Sequence, residues 1–344
     1  MSGTSQDGLD IALCEFEGSG KELNYKILKA DTILYSSSQK NKLRSLPYLN
    51  VENYFKLHHQ FGKYMAKEVI AFLKDVPVKP DAIASHGHTV FHQPKLGYST
   101  QIGCGATIAA HSGITTICDF RSMDVALNGQ GAPLVPIGDE LLFGNYESCL
   151  NIGGIANISF KKNHSRVAFD ICIANMALNH FALMSGSDYD KNGDWAKSGS
   201  FNENLFNELN ALDFFKQKGA RSIGREWFEG EFLYCIEKNK LSVNDNLNTL
   251  VHHIAFQIAQ VLNENKLSNV LITGGGAHNS FLVEVLKKYY KGEVILPGAT
   301  IINYKEALIF ALLGYLRLEH TINTLSSVTG AKHDSVGGAV YYSK

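Results

Sequence analysis

The sequence has few of the features that mark secreted, membrane-spanning or nucleic-acid-binding proteins. Its six cysteines form no C-x-x-C pair, so neither a zinc site nor a disulfide framework is indicated. Lysine and arginine number 32 against 33 aspartates and glutamates, which offers nucleic acid no broad positive surface. The longest apolar run near the end, Ala307–Leu316, is shorter than the ~18 residues of a membrane span. We predict a cytoplasmic protein without nucleic-acid or membrane partners, and a homodimer is left open.

The motifs of the commonest nucleotide-binding folds are also absent. The chain has no Walker A loop and neither the H-R-D nor the D-F-G motif of protein kinases. The pair Gly103 and Gly105 lacks the third glycine of a dinucleotide fingerprint. A small anionic ligand is not excluded, because a few backbone N–H groups are enough to bind phosphate.

The length and the pattern of elements indicate two α/β lobes. A chain of 344 residues, 45% hydrophobic and 19% charged, can fill two cores of roughly 150 residues each. Strands alternate with helices in both halves, which favours largely parallel inner strands. A segment rich in glycine and proline at 128–136 marks the boundary. We predict an N-terminal lobe at 1–132, on which residues from about 325 to 344 pack back, and a C-terminal lobe at 133–324.

Three glycine-rich turns share one character. They are Gly3–Gly8, Asn151–Gly154 and Gly274–Gly276. Any one of them could simply serve a turn that needs a positive φ. Together they suggest phosphate contacts from both lobes, since each joins polar donors to backbone bare enough for close approach. The fold class expected is therefore α/β, with two actin-like (ribonuclease H-like) lobes flanking a nucleotide cleft.

A series of short motifs follows in order over essentially the whole chain. They are Met1–Asp10, Ser85–Pro94, Gln101–Gly103, Asp119–Asp124, Gly129–Pro136, Leu150–Asn157, Ser222–Glu226, Thr273–Asn279, Lys305–Leu308 and Val328–Ala331. The series resembles the anhydro-N-acetylmuramic acid kinases, a family of the actin/hexokinase/Hsp70 superfamily. Single motifs are weakly specific, and their common order carries the resemblance.

The resemblance implies an enzyme, a phosphotransferase with an alcohol group as acceptor. It would use ATP and water to open the 1,6-anhydro ring of anhydro-N-acetylmuramic acid and phosphorylate O6, giving N-acetylmuramic acid 6-phosphate in peptidoglycan recycling. Its partner is this small anhydro-amino-sugar, and its cofactors are ATP and Mg²⁺. Ring opening needs a base that activates water, and the transfer needs Mg²⁺ to neutralise phosphate charge.

Residue roles are carried over from the matching motifs. The catalytic base is Asp170, although a lone aspartate at a strand end is more often a cap. Asp7 is the candidate Mg²⁺ ligand, or alternatively a turn-capping residue. The ATP-binding candidates are Gly3, Thr4, Ser5, Gln6, Asp7, Gly8, Leu9, Asp10, Gly153, Gly154, Gly274, Gly275, Gly276 and Asn279. The substrate-binding candidates are His88, Arg121, Asp124, Gln130, Asn175 and Glu306.

Two of these assignments have chemical support of their own. Arg121 suits the lactyl carboxylate of the sugar, because arginine is the natural bidentate partner of a carboxylate. His86, His88 and His92 favour sugar contacts or packing over a zinc site, because one strand end and a loop give poor ligand convergence. Glu306 could instead be a solvated glutamate in the first turn of its helix, but the family match favours a sugar-facing role.

The chain departs from the family pattern at two places. The family usually reads F-D-T-G-P-G-N where this chain has Phe169–Asn175, so Ile171–Ala174 replace the glycines and proline. We expect a changed backbone path there and a change in any phosphate contact. Family members also carry a short strand before the M-S-G-T-S loop at which this chain begins. We expect a lobe that starts at Met1 to leave neighbouring strand edges unpaired.

Two other functions compete with this interpretation. One is a plain sugar or acetate kinase of the same superfamily, which transfers phosphate without opening a ring. The other is a nucleotide-switched binding protein of the Hsp70 or actin type. A switch of that kind needs a partner-binding domain, for which the chain has no room. It also has no need of the polar set Arg121, Asp124, Asp170 and Glu306.

Overall fold

The computed structural model describes residues 1–3, 7–217 and 221–343. It divides into two compact units. Unit 1 comprises Met1–Leu142 and Tyr304–Lys344, and unit 2 comprises Phe143–Asn303. Both mix helices with sheets, as the sequence predicts.

Unit 1 contains three small sheets and the helices packed on them. Its strands are β1 (Gly8–Glu17), β2 (Asn24–Leu34), β3 (Ala82–Ala84), β4 (His88–Gln93), β5 (Tyr98–Ile102) and β6 (Thr115–Cys118). Its first helices are α1 (Ser37–Ser45), α2 (Val51–Leu73), α3 (Gly105–Ser112), α4 (Ser122–Ala126) and α5 (Pro136–Leu142). β1 pairs with β2 and β4 with β5, both antiparallel, while β3 pairs with β6 in parallel.

The helix α2 shows how local sequence sets these elements. Its cap is Asn50, whose side chain accepts a hydrogen bond from the Asn53 N–H and satisfies a free donor of the first turn. Phe61, Met65 and Phe72 recur at helical spacing and are buried, so they fix the face turned to the core. Val51 and Phe55, which the sequence pattern also places on an apolar stripe, are exposed.

Unit 2 is a five-stranded sheet covered by helices. Its strands are β7 (Ser148–Ile152), β8 (Ile155–Lys162), β9 (Ser165–Ile173), β10 (Asn269–Thr273) and β11 (Glu293–Ile295), in the order β11-β10-β7-β8-β9. Its helices are α6 (Asn175–Met184), α7 (Asp194–Ser198), α8 (Glu203–Asn210), α9 (Asp213–Lys216), α10 (Arg225–Trp227), α11 (Leu233–Glu237), α12 (Val243–Glu264) and α13 (Ser280–Tyr289). β7, β10 and β11 are parallel, as expected, whereas β8 and β9 run antiparallel.

The end of the chain returns to unit 1. It forms α14 (Ala299–Leu318), α15 (Ser326–Thr329) and β12 (Ala339–Tyr341), which pairs antiparallel with β6. The compact units therefore assign 133–142 and 304–324 to unit 1, whereas the sequence-based division put both ranges in the second lobe.

Packing explains this difference from the sequence-based boundary. Ile137 of α5 and Ile309 of α14 belong to the same apolar cluster as Ile117 of β6. A Cβ at Gly138 would lie 2.5 Å from the Ile309 side chain, so α5 and α14 pack closely at this glycine. The sequence pattern shows only the glycine- and proline-rich turn before α5. The contacts of α5 with α14 join residues far apart in the chain, so no local pattern predicts them.

One helix bears on the prediction that the chain has no membrane span. Among the described residues, α14 alone is long and apolar enough to cross a membrane by length and composition. It exceeds the apolar run Ala307–Leu316 because the helix begins earlier, at Ala299. Half of this apolar stretch is buried inside the protein, and a helix in a protein core can have the same length and composition.

Candidate active site

A row of polar residues crosses one face of the unit 2 sheet. Thr273 of β10 lies opposite Asn151 of β7, Asn151 opposite Asn157 of β8, and Asn157 opposite Asp170 of β9. Residues directly opposite each other in a sheet share a face, so these four side chains form one line. Thr273 and Asn151 stand at the carboxyl ends of parallel strands, where α/β proteins bind ligands.

Asp170 is the charged member of this row. Its Oδ2 accepts a hydrogen bond from the Ile223 N–H at 2.9 Å. Its backbone N–H donates to the Arg221 carbonyl at 3.0 Å, and Arg221 Nε donates back to the Asp170 carbonyl at 3.1 Å. The backbone at 221–223 thus runs alongside β9 and fixes the carboxylate from a second direction.

The surroundings of Asp170 also set its proton affinity. Burial raises the pKa of the carboxyl, because the charged form loses water. The Ile223 N–H, the Ser222 hydroxyl and the Arg221 charge act against this and lower the pKa, but burial prevails. A carboxylate with a raised pKa is a stronger base than an ordinary aspartate, which suits proton abstraction.

The stretch that departs from the family pattern is part of the core. Ile171, Cys172, Ile173 and Ala174 are all fully buried. The next N–H groups, of Ala174 and Met176, donate to the Gly154 carbonyl at 2.9 and 3.0 Å, and that of Asn175 donates to the Gly153 carbonyl at 3.1 Å. The first amides of α6 are therefore used within the protein, which changes the phosphate contact expected of this loop.

The glycine-rich turns of unit 2 meet beside this row. Gly274 has a φ of +83°, and a Cβ there would lie 2.5 Å from Asn151 Oδ1. A Cβ on Gly276 would collide with Ile152, so packing alone requires both glycines. Gly275 is exposed, and the nearest atom to a Cβ there is Asn175 Nδ2 at 3.6 Å. Packing does not require a glycine at this position, so the exposed backbone of Gly275 is open to a ligand.

The other candidates of unit 2 are either glycines with open space beside them or side chains that the protein itself engages. A Cβ on Gly153 or Gly154 would meet its nearest neighbour at 3.4 Å or beyond, so both remain open to a ligand. Asn175 Nδ2 donates to the Ile152 carbonyl at 3.1 Å, which ties it to the turn after β7. Asn279 is buried, and its Oδ1 caps α13 by accepting from the Leu282 N–H at 2.9 Å. Its role in this structure is that of a helix cap.

In unit 1, Arg121 is held between a carbonyl and a histidine. Its Nη1 donates to the Gly131 carbonyl at 2.5 Å, and its Nη2 lies 2.9 Å from His86 Nε2. Burial, and then the charge of Arg121, keep the pKa of His86 well below its usual range. The neutral imidazole therefore accepts from Arg121 through Nε2 and donates through Nδ1 to the Gly87 carbonyl. The sequence pattern offers His86 for sugar contacts or packing, and in the structure it contacts Arg121.

Glu306 stands near Arg121, and Asp10 stands near Glu306. Asp10 accepts from the Thr32 hydroxyl at 2.7 Å, and burial raises its pKa. The pKa of Glu306, which solvent reaches, is raised by desolvation and then by the charge of Asp10. Burial lowers the pKa of Arg121 to about 10, and the negative charge of Glu306 acts against this lowering. The structure thus brings together three of the predicted site residues of unit 1.

Three other substrate candidates of unit 1 stand in different surroundings. Asp124 is buried, and its two oxygens accept from the Gly131 N–H at 2.7 Å and the Thr329 hydroxyl at 2.6 Å. His88 is buried with its Nδ1 3.1 Å from Ser2 Oγ. Gln130 has an exposed side chain on the same turn as Gly131. Asp124 and His88 are thus engaged by the protein itself, while Gln130 faces solvent.

The first predicted phosphate loop is only partly described. Thr4, Ser5 and Gln6 lie outside the described residues, whereas Gly3 and Asp7 flank them. Leu9 is buried in the core, so its side chain packs rather than binds. A Cβ on Gly8 would lie 2.7 Å from the Ile33 carbonyl, so pairing with β2 already demands a glycine.

A magnesium site of three protein ligands is not found among the described residues. Asp7 is exposed and lies close enough to Asp10 for its charge to raise the pKa of that carboxyl. One or two carboxylates with substrate phosphates are the usual protein share of a Mg²⁺ site. These two residues fit that share.

The structure thus shows an α/β protein that has open glycine turns after β7 and β10 and a largely buried carboxylate, Asp170, in the neighbouring strand β9. The family model described as anhydro-N-acetylmuramic acid kinase matches residues 1–343. The chain belongs to that family and is a kinase, a phosphotransferase acting on an alcohol group.

Individual relatives agree with the family match. The chain is 35% identical over 371 residues to the anhydro-N-acetylmuramic acid kinase of Aliivibrio fischeri, covering 99% of this chain and 97% of that protein. It is 36% identical over 372 residues to the enzyme of the same name from Photobacterium profundum, with the same shares covered. Among solved structures, the activator of the 2-hydroxyisocaproyl-CoA dehydratase from Clostridium difficile matches with a TM-score of 0.45 at 13% identity, covering 90% of this chain and 96% of that one. That structural likeness is too weak to carry an argument.

Proposed function

We propose that this kinase opens the 1,6-anhydro ring of anhydro-N-acetylmuramic acid with water and phosphorylates O6, in cytoplasmic recycling of peptidoglycan. The observation that carries the proposal is Asp170. Its carboxylate stands in the polar row of the sheet, has a raised pKa and is oriented through one oxygen by the Ile223 N–H. A plain transfer to an existing hydroxyl would also use a base, and the fate of the water oxygen distinguishes it from ring opening.

The proposed role of Asp170 is to take the proton of the attacking water. The water oxygen bonds to C1, the C1–O6 bond breaks, and O6 becomes the phosphoryl acceptor. Asp170 must be ionised to act, so its raised pKa sets the acid limit of the reaction. Oδ2 keeps the Ile223 hydrogen bond, and we assign the attacking water to Oδ1.

ATP fits the open glycines of unit 2. Gly153, Gly154 and Gly275 have room where a side chain would stand, so backbone there can approach phosphates closely. When bound, ATP supplies the phosphoryl group and Mg²⁺ neutralises its charge. Asp7, with Asp10 beside it, would hold the metal or its water.

The sugar is assigned to the unit 1 residues. Arg121 is proposed to pair with the lactyl carboxylate, and Glu306 and the exposed Gln130 to meet hydroxyl or amide groups. His86 keeps Arg121 in place through its neutral Nε2. Asp124, fixed on Gly131 and Thr329, positions the turn that carries Gln130.

The variant Asp170→Asn tests the role of the base. It keeps the size and an acceptor for the Ile223 N–H but removes the proton acceptor, so we expect kcat to fall about 10²–10⁴-fold. The melting temperature should stay the same or rise, because the desolvated charge is removed. Asp188→Asn, at an exposed carboxylate of the same unit, is the matched control and should keep full activity. Near-normal turnover by Asp170→Asn in a folded protein would remove Asp170 from the mechanism.

A further inference from the structure

A β-bulge lies beside the carboxylate of Asp170. In β8, Ala156 is followed directly by Asn157. Their partners in β9 are Cys172 and Asp170, which leaves Ile171 between them as an extra residue. A bulge bends its strand and redirects the neighbouring side chain, and bulges are frequent next to active sites. The bulge at Ile171 therefore sets the direction in which the Asp170 carboxylate points.

One side chain, that of Arg221, bonds to both carbonyls of this bulge. Its Nε donates to the Asp170 carbonyl at 3.1 Å, and its Nη2 donates to the Ile171 carbonyl at 3.3 Å. The Asp170 N–H donates in return to the Arg221 carbonyl at 3.0 Å. Among the described residues, β9 is the outermost strand on its side of the sheet. Arg221 thus supplies hydrogen bonds that a further strand would otherwise make.

The guanidinium of Arg221 is itself held in one position. Its Nη1 donates to the Gln217 carbonyl at 3.3 Å. Its Cζ lies 4.8 Å from the centroid of the Phe214 ring and 6.0 Å from that of Phe215, both in α9. A guanidinium is attracted to aromatic faces, and its planar shape lets it stack on a ring while its N–H groups bond in the plane. Three carbonyls and two rings therefore leave Arg221 little freedom to move.

The charge of Arg221 acts on Asp170 in addition to these hydrogen bonds. Burial raises the pKa of the Asp170 carboxyl, and the hydrogen bonds from 222–223 and the positive charge of Arg221 act against this rise. The acidic groups that face Arg221 are the Cys172 thiol, Glu264 at the end of α12 and Asp170. Burial raises the pKa of that thiol, so it stays uncharged. The charge of Arg221 thus favours the ionised form of Asp170, which is the form that accepts a proton.

We propose that Arg221 is a positioning residue for the base: it bridges the two carbonyls of the bulge and so keeps the Asp170 carboxylate directed at the attacking water. The inference rests on the proposed role of Asp170 as that base. Arg221 touches neither the water nor the nucleotide turns, and it acts through β9, 51 positions before it in the chain. Loss of the bridge frees the bulge to shift, which turns the carboxylate away from the water.

Two substitutions separate the geometry that Arg221 provides from its charge. Arg221→Lys keeps a positive charge but has no planar group to bridge both carbonyls, so kcat should fall about tenfold or more while the acid limb of kcat/KM stays in place. Arg221→Gln also removes the charge, so its kcat should fall at least as far. Its acid limb should move to higher pH, because Asp170 then ionises less readily. KM for ATP should change less than about threefold in both variants.

A double substitution shows whether Arg221 acts through Asp170. If it does, Arg221→Gln should lower kcat about tenfold or more in the parent protein but less than about twofold in Asp170→Asn, because the base is then already absent. A merely structural role would give the same loss in both backgrounds and would leave the acid limb in place. Lys216→Gln, which removes an exposed charge from α9, is the matched control and should keep the parent kcat and acid limb.

The same measurements distinguish failure of this inference from failure of the proposed function. Equal losses in both backgrounds, an acid limb of Arg221→Gln that coincides with that of the parent protein, or a parent-like kcat in Arg221→Lys would each overturn the positioning role. All three leave the role of Asp170 intact as long as Asp170→Asn is impaired. Near-normal turnover by Asp170→Asn would remove the base and the positioning residue together.

Discussion

Burial and hydrogen bonding shift the pKa of Asp170 in opposite directions, and the hydrogen bond from Ser222 can be removed by a single substitution. The Ser222 hydroxyl hydrogen-bonds to the carboxylate and lowers its pKa, while burial raises it. Ser222→Ala should therefore raise the pKa further. Because Asp170 acts ionised, the acid limb of kcat/KM should move to higher pH, with kcat on the plateau reduced less than tenfold. A pH profile measures this.

The control for Ser222→Ala is Ser185→Ala, at an exposed serine of the same unit. Its acid limb should coincide with that of the parent protein. An acid limb that stays in place or moves to lower pH in Ser222→Ala would contradict the assignment of Asp170 as the titrating base.

Single residues of the site differ in how far the sequence reveals them. Asp170 and Arg121 stand in motifs and were found there, but their roles still await the tests above. The place of Asn157 in the polar row and the contact of His86 with Arg121 cannot be predicted from the sequence, because strand register sets the first and a residue 35 positions away sets the second. The hydrogen bond from Ile223 to Asp170 joins positions 53 residues apart, and no local pattern announces it.

The turn Gly274–Gly276 is the element that most directly tests nucleotide binding. A valine at Gly275 meets open space, since the nearest atom to its Cβ is Asn175 Nδ2 at 3.6 Å. Gly275→Val should therefore fold normally and still weaken ATP binding about tenfold or more, because its side chain would enter the space that we propose for the nucleotide. Calorimetric titration with a non-hydrolysable ATP analogue measures the affinity.

The control for this turn is Gly230→Val, where nothing lies within 4 Å of the added Cβ. It should bind the analogue as the parent protein does. If Gly275→Val folds and binds with unchanged affinity, Gly274–Gly276 is a structural turn only.

Helices α5 and α14 are joined by a buried ion pair. Lys305 Nζ lies 2.6 Å from Asp139 Oδ1, and both side chains are about 95% buried, with 5% and 4% exposed. Removing one partner leaves the other charge buried, so Asp139→Ala should lower the free energy of unfolding by about 3–5 kcal/mol. Urea denaturation checks this, with Asp213→Ala as the exposed control. A loss below 1 kcal/mol would mean that the pair does not hold the two helices together.

The elements themselves follow the sequence pattern closely where one face is apolar. The short apolar runs at 82–84 and 269–273 predict strands and form β3 and β10, and the helical spacing of apolar residues from Val51 predicts the helix α2. The pattern of the segment 148–160 predicts a small polar turn followed by a strand, and this prediction is wrong because the segment forms the hairpin of β7 and β8. Its residues are apolar on both sides of the turn at Gly153 and Gly154, so periodicity alone does not separate two strands from one.

At the scale of the molecule, each unit has its own apolar core. The sequence predicted two α/β bodies from length and alternation, and the compact units are two. Their boundaries differ because α5 and α14 pack on β6 from distant parts of the chain. Length sets how many cores form, but only the packed structure shows which helices each core takes.

The central claim is that this kinase breaks the anhydro ring with water before or while it transfers phosphate. Incubation with ATP, Mg²⁺ and anhydro-N-acetylmuramic acid in ¹⁸O-water, with products identified by mass after short times, tests it most directly. Ring opening by water gives a product that has gained one water and one phosphoryl group, with the ¹⁸O at C1 and none in the phosphate ester, because O6 comes from the sugar. A phosphorylated product that keeps the ring, or one that lacks the early label at C1, would show that water does not open the ring.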